Sequence, residues 1–186
     1  MNKLPIIILL LASICAGFAS CSNEEEDLWD EYKEWRATNE NWLLEQISKK
    51  DADGSDFYTK VVPEWNSNAY VYIHYFNDRR LTSGNLSPMY TSTVDVKYIG
   101  RLCDGTAFDS SYLNTSPADS IFRTKLSDVV QGWTIALSDM HVGDSCEVLI
   151  PYQFAYGSSG QGAIKPFSTL QFNIKLVDVA GYEIQP

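Results

Sequence analysis

The sequence predicts an α+β protein, an antiparallel sheet with one short helix against it and an amphipathic helical segment ahead of it, on three observations. From Glu24 to Lys50, the residues Leu28, Tyr32, Trp35, Trp42, Leu43 and Ile47 recur at mostly three- and four-residue steps. That is the period of a helix that buries one stripe. Beyond Phe57 come short runs rich in β-branched and aromatic residues: Tyr70–Phe76, Thr93–Arg101, Cys146–Pro151 and Thr169–Val177. Among them only Trp133–Met140 reads as a helix, stopped by the turn His141-Val142-Gly143. A chain of 186 residues holds one domain of ordinary size plus an appendage, and excludes two full enzyme domains. No internal repeat is visible.

Taken from the start, Leu4 to Leu11 are almost unbroken aliphatics behind Lys3, and Ala16, Gly17, Ala19 and Ser20 are small. This predicts a secretory signal peptide over residues 1–20. The run is too short for a permanent span of about 30 Å of hydrocarbon. Phe18-Ala19-Ser20-Cys21 resembles a bacterial lipobox, which implies a lipid on the Cys21 thiol and an anchor in the membrane. Cys15 is a poorer competitor, because bulky Ile14 precedes it. An ordinary cleaved signal with an unmodified cysteine is the alternative. The acidic run Ser22–Asp27 resembles the tag that sends some Gram-negative lipoproteins to the cell surface; it also suits a solvated leader into the helix. The expected location is therefore the cell envelope, lipid-anchored to the outer membrane on its periplasmic face or at the surface.

Residues 21–56 form the acidic leader and helical segment, with acidic side chains at its start and Lys49-Lys50 at its end, as the helix dipole favours. Its three tryptophans read as docking or core residues, because a lone amphipathic helix must bury its stripe somewhere. Asp51-Ala52-Asp53-Gly54-Ser55-Asp56 hints at a calcium loop, but the glycine is misplaced and no glutamate closes it, so a turn is expected. Residues 57–90 are a strand-containing lead-in, and 91–186 the main domain. If 100–104 and 144–150 are strands, Cys146 lies on the apolar face and Cys103 out of phase with it, which argues against a disulfide. The net charge of −10 excludes nucleic acid as a partner.

Val94-Asp95-Val96-Lys97-Tyr98-Ile99-Gly100-Arg101-Leu102-Cys103-Asp104-Gly105-Thr106-Ala107-Phe108-Asp109-Ser110-Ser111 closely resembles the signature of the FKBP-type peptidyl-prolyl isomerases. That signature is a strand ending in Tyr-x-Gly, an Asp-Gly turn, then Phe-Asp-Ser-Ser. Four further blocks follow in the family's order: Val129-Val130-Gln131-Gly132-Trp133, Met140–Gly143, Pro151–Gly157 and Thr169–Phe172. The resemblance covers about Thr91 to Val179. It implies a half-open five-stranded antiparallel sheet wrapped around the short helix, and a hydrophobic cleft that binds a proline ring.

On that resemblance Trp133 is the cleft floor, with Tyr98, Phe108, Val129, Val130, Tyr156, Ile164 and Phe172 as walls and Phe122 retained beside them. The backbone N–H of Ile164 would hold the carbonyl before the proline. Asp109, oriented by the Tyr98 hydroxyl, would bias the carbonyl's surroundings, and Tyr156 would supply a second hydrogen bond. The implied activity is cis/trans isomerisation of X-Pro bonds in unfolded or exported polypeptides, without nucleophile, metal or cofactor. A non-catalytic FKBP-like chaperone or binding module on a lipid anchor is the alternative. A macrolide ligand and a dimer through the N-terminal helix stay open. Departures from the family pattern are Ser120 in place of a second pocket phenylalanine, a flap (157–166) one residue shorter, and Lys165 where proline is frequent.

Other chemistries find less support. Gly157-Ser158-Ser159-Gly160-Gln161-Gly162 lacks the Lys-Ser/Thr ending of a phosphate loop. His74 and His141 are not at a metal-binding spacing, and no Gly-x-Ser-x-Gly elbow marks a hydrolase.

Overall fold

The computed structural model describes residues 27–181. The segment expected to be a signal peptide, Cys21 and the acidic residues before Asp27 lie outside them. Residues 27–31 are helical, Tyr32 interrupts the ladder, and α1 runs Lys33–Ile47. There follow β1 (Thr59–Val61), β2 (Val71–Tyr75), β3 (Thr93–Arg101), β4 (Ala107–Ser110), β5 (Phe122–Lys125), α2 (Gln131–Asp139), β6 (Ser145–Ile150) and β7 (Leu170–Gly181). The Asp51–Asp56 segment is a turn closed by the Lys50–Asp56 ion pair.

The strands make one antiparallel sheet in the order β1-β2-β6-β7-β3-β4, with β5 also on β3. β4 and β5 share one edge of β3: β5 pairs with Thr93–Val96 and β4 with Ile99–Arg101. The sheet has seven strands rather than five because the lead-in supplies β1 and β2, and β2 continues the sheet by pairing Tyr72 with Leu149 and Tyr75 with Cys146. Residues 57–90 are thus built into the sheet.

One face of the sheet is apolar by alternation. Val94, Val96 and Tyr98 of β3, Cys146, Val148 and Ile150 of β6, and Phe172, Ile174 and Leu176 of β7 are buried together. Side chains two apart on a strand share a face. Helix α2 lies against it through Trp133, Ala136 and Leu137. A Cβ on Gly132 would collide with the Ile150 side chain, so glycine lets the helix settle onto β6. Behind the helix, the buried carboxylate of Asp144 accepts from the Asn77 amide (2.9 Å), the His141 N–H (2.8 Å) and the Thr82 hydroxyl. Burial alone would push its pKa up, but these bonds and the nearby Arg79 charge outweigh it and hold the carboxyl below its ordinary value. Cys146 is buried against Met140 and Cys103 is half-buried, both as free thiols.

Helix α1 docks differently from its apolar pattern. Its buried residues are Arg36 and Asn39, while Trp42 and Leu43 are half-buried. Asn39 is fully buried because its side-chain oxygen accepts the backbone N–H of Thr169 at 2.9 Å while its amide donates to the Trp35 carbonyl. The Trp35 indole N–H donates to the Ser168 hydroxyl at 3.0 Å. The Arg36 guanidinium lies 3.3 Å from the Trp29 ring centre and donates to the Trp29 carbonyl. Phe167, between them, has φ of +61°, a left-handed conformation that costs a β-carbon-bearing residue about 1 kcal/mol or more. Its ring is buried among Trp29, Tyr32 and Tyr152, which anchors the backbone there. Among the described residues no helix is long and apolar enough to cross a membrane.

Candidate active site

The cleft forms where β3, β4, β5 and β7 meet the first turn of α2. Strand β3 points Tyr98 inward, β4 carries Phe108 and Asp109, β5 brings Phe122, and β7 brings Phe172. Val129 and Val130 sit on the extended segment just before α2, and Trp133 lies in its first turn. These side chains, with Tyr156 and Asp128, line a cavity of about 230 Å³. That is below the few hundred Å³ of a drug-sized pocket and matches a side-chain-sized guest.

The walls hold one another edge-to-face. Tyr98 meets Trp133 at 4.9 Å and 88°, Trp133 meets Phe172 at 5.2 Å and 85°, and Phe108 meets Phe172 at 5.5 Å and 88°. This is the arrangement ring quadrupoles favour, and it fixes the side chains without closing the hole. Gly100 makes it possible: a Cβ there would stand 2.6 Å from Phe108 and 2.7 Å from Phe172. In the sequence, only the place of Gly100 inside the Tyr-x-Gly signature signals this role.

Polar groups are few and placed. The Tyr98 hydroxyl donates to Asp109 Oδ2 at 2.6 Å, and the Ser110 N–H donates to Asp109 Oδ1 at 2.7 Å. Burial first, then the bond to Asp109, pushes the Tyr98 pKa well up, so the hydroxyl stays a donor across ordinary pH. Burial and the Asp109 charge also raise Tyr156, whose hydroxyl has no partner among the described residues. Asp128 is a second carboxylate on the lining that sequence reasoning missed.

Ile164 belongs to the flap. It is buried in the core but is not on the cavity lining, and its N–H donates to the Gln161 carbonyl at 2.9 Å, closing the tip of the flap with the reciprocal bond from Gln161 at 2.8 Å. That N–H is engaged within the flap. Among the lining residues, Val130 at the start of α2 has a backbone N–H with no acceptor among the described residues, as a helix leaves its first N–H groups free. The flap base is tied instead by the Phe167 N–H, which donates to the Gly157 carbonyl at 2.9 Å.

Residues 84–177 match the family model of the FKBP-type peptidyl-prolyl cis-trans isomerases. The chain belongs to that family. The FKBP match begins a few residues earlier than the sequence blocks suggested and takes in part of the lead-in. The chain is 42% identical over 98 residues to the macrophage infectivity potentiator of Trypanosoma cruzi, covering 52% of this chain and 48% of that one. To the FKBP-type 22 kDa peptidyl-prolyl cis-trans isomerase of Escherichia coli it is 44% identical over 93 residues, covering 50% and 43%. The match thus spans about half the length of these relatives. A solved structure, a peptidyl-prolyl cis-trans isomerase of Pseudomonas syringae, superposes with a TM-score of 0.61 at 25% identity, covering 81% of this chain and 96% of that one.

Proposed function

We propose that the protein is a peptidyl-prolyl cis-trans isomerase acting on proline-containing unfolded or exported polypeptides. The observation that carries this is the unfilled aromatic cavity floored by Trp133, with the Tyr98–Asp109 hydrogen bond at its rim. Rotation about X-Pro crosses a barrier of ~18–20 kcal/mol, because amide resonance must be broken. The twisted amide has lost charge separation, so a dry cavity disfavours it less than the planar one. That preference for the transition state is what accelerates the reaction. The proline ring enters against Trp133. The Val130 N–H and the Tyr156 hydroxyl, both without a partner among the described residues, take the substrate carbonyls. The Asp109 charge favours the state in which the carbonyl carbon no longer draws electrons from nitrogen. No step calls for a metal or cofactor.

The test is an X-Pro tetrapeptide assay. Asp109→Ala is expected to lower kcat/KM about tenfold, equivalent to about 1.4 kcal/mol, and to cost about 1–3 kcal/mol of stability, because the buried Tyr98 hydroxyl loses its acceptor. Wild-type protein without acceleration overturns the enzyme reading and leaves the FKBP-like binding module. The same cleft is the place for a macrolide, and competition in this assay tests it.

The lipobox-like segment supports a signal peptide over residues 1–20, a lipid on Cys21 and an outer-membrane location in the cell envelope. Intact mass of the membrane-extracted protein, against Cys21→Ser, decides this: wild type carries acyl mass, and the variant is released.

A further inference from the structure

The proline cavity is not the largest concavity of the described residues. A second one, about 760 Å³, begins at Val129, which lines both. It follows one face of α2 through Gln131, Thr134 and Ser138, positions three and four apart. Its far wall is Trp65, Met89 and Tyr90 from the lead-in, which are 58%, 51% and 60% exposed. Single exposed apolar residues are ordinary, but three large ones around one trough are a recognition surface. At Trp65 and Ser138 the trough opens into a shallower hollow that ends at Glu64 and Asp139.

Charge and length choose the occupant. The trough itself has no charged side chain, while carboxylates stand at both ends, Asp109 and Asp128 in the cavity and Glu64 and Asp139 beyond. With a net charge of −10, an anionic lipid surface or a second copy of the chain is repelled. An uncharged, apolar stretch of polypeptide is not. From Gln131 to Ser138 the helix rises about 10 Å, which an extended chain covers in about three residues.

We propose that the trough along α2 is a second polypeptide subsite, which takes an apolar side chain about three residues from the proline held in the cleft. It rests on the isomerase reading for the position of the proline. The lead-in thereby gives the protein a preference that the family domain's cleft lacks: longer, hydrophobic unfolded segments over short peptides.

The experiment uses the full chain and octapeptides with one X-Pro bond and either Phe or Ser three residues before or after the proline. Affinity is read by calorimetry and turnover by isomerisation. On one side of the proline, Phe is expected to tighten binding about tenfold over Ser, the order expected for burying an aromatic side chain, and to lower KM with kcat unchanged. Trp65→Ala and Tyr90→Ala replace exposed side chains; each should erase this preference, leaving tetrapeptide kcat/KM and the circular dichroism spectrum as in wild type. Equal affinity for the Phe and Ser peptides overturns the subsite, as does a preference that survives both substitutions. So does a wild-type dimer that Trp65→Ala dissociates. If tetrapeptides are not turned over but the Phe preference persists and vanishes in the variants, the subsite stands and the isomerase reading fails.

Discussion

Two aromatic clusters lie on either side of the flap, and they have opposite outcomes. In the cleft, Tyr98, Phe108, Trp133 and Phe172 meet edge-to-face around a hole. In the cage, Trp29 and Tyr152 meet Phe167 in the same geometry, at 5.5 Å and 89° and at 5.3 Å and 80°, but Phe167 fills the centre and Arg36 covers the side. Ring geometry is therefore no marker of a binding site. The difference is whether the chain supplies its own guest. The cage supplies it by holding Phe167 in a left-handed backbone conformation, and the cleft leaves the place to substrate.

Substitutions can break this contrast. The largest effect is expected from Trp133→Ala, which removes both floor and core: a stability loss of about 3–5 kcal/mol by denaturant unfolding, and kcat/KM down by about two orders of magnitude. Phe167→Ala should cost about 3 kcal/mol or more of stability, with a smaller loss of turnover. Phe167→Gly should recover about 1 kcal/mol of that, because glycine adopts φ of +61° without strain; equal stability of the two variants would show that the backbone is not strained there. Asn39→Ala leaves the Thr169 N–H without its acceptor and is expected to cost about 1–3 kcal/mol, with tetrapeptide kcat near wild type. A large fall in kcat instead would mean that cage and cleft are one cooperative unit.

The smallest effect is in alkali. Tyr98 in the cleft, pushed up by burial and Asp109, and Tyr152 in the cage, pushed up by burial and then by the Glu40 charge, both keep their protons longer in the fold. Raised values mean that their contribution to stability is fully present below about pH 10, the ordinary tyrosine value, and is lost as pH rises through the folded values. Tyrosinate absorbance should show Tyr152→Phe removing an earlier step than Tyr98→Phe.

Strands and the short helix were legible because alternation and helical period are local. Thr93–Arg101 comes out as read, and Trp133–Met140 shifts by one or two residues to Gln131–Asp139. The cavity residues were legible only through family resemblance, since no period distinguishes Phe108 from any core phenylalanine. What was not legible depends on partners far along the chain. The docking face of α1 centres on Arg36 and Asn39, which a hydrophobic pattern ranks as solvent-facing, because their partners are Trp29 and the Thr169 backbone. The engagement of the Ile164 N–H was not legible for a related reason: the two-residue flap tip that holds it depends on a backbone bend rather than on side-chain type. β2 reads as a strand at Tyr70–Phe76 in the sequence, but its pairing with β6, like β1 itself, was not legible, because the lead-in lies outside the sequence blocks that carried the resemblance.

The docking of α1 also sets an order of assembly. Its bonds join Trp35 to Ser168 and Asn39 to Thr169, separations of 133 and 130 residues. A ribosome or a secretion pore delivers the helix early and its partners almost last. Until then the Asn39 side-chain oxygen and the Trp35 indole N–H have only water as partner, and the helix must wait while the sheet forms between them. Closing so long a loop carries an entropic cost that is met only at the end. Among the described residues, the first helix made is thus the last piece seated, and the residues it seats against are those at the base of the flap.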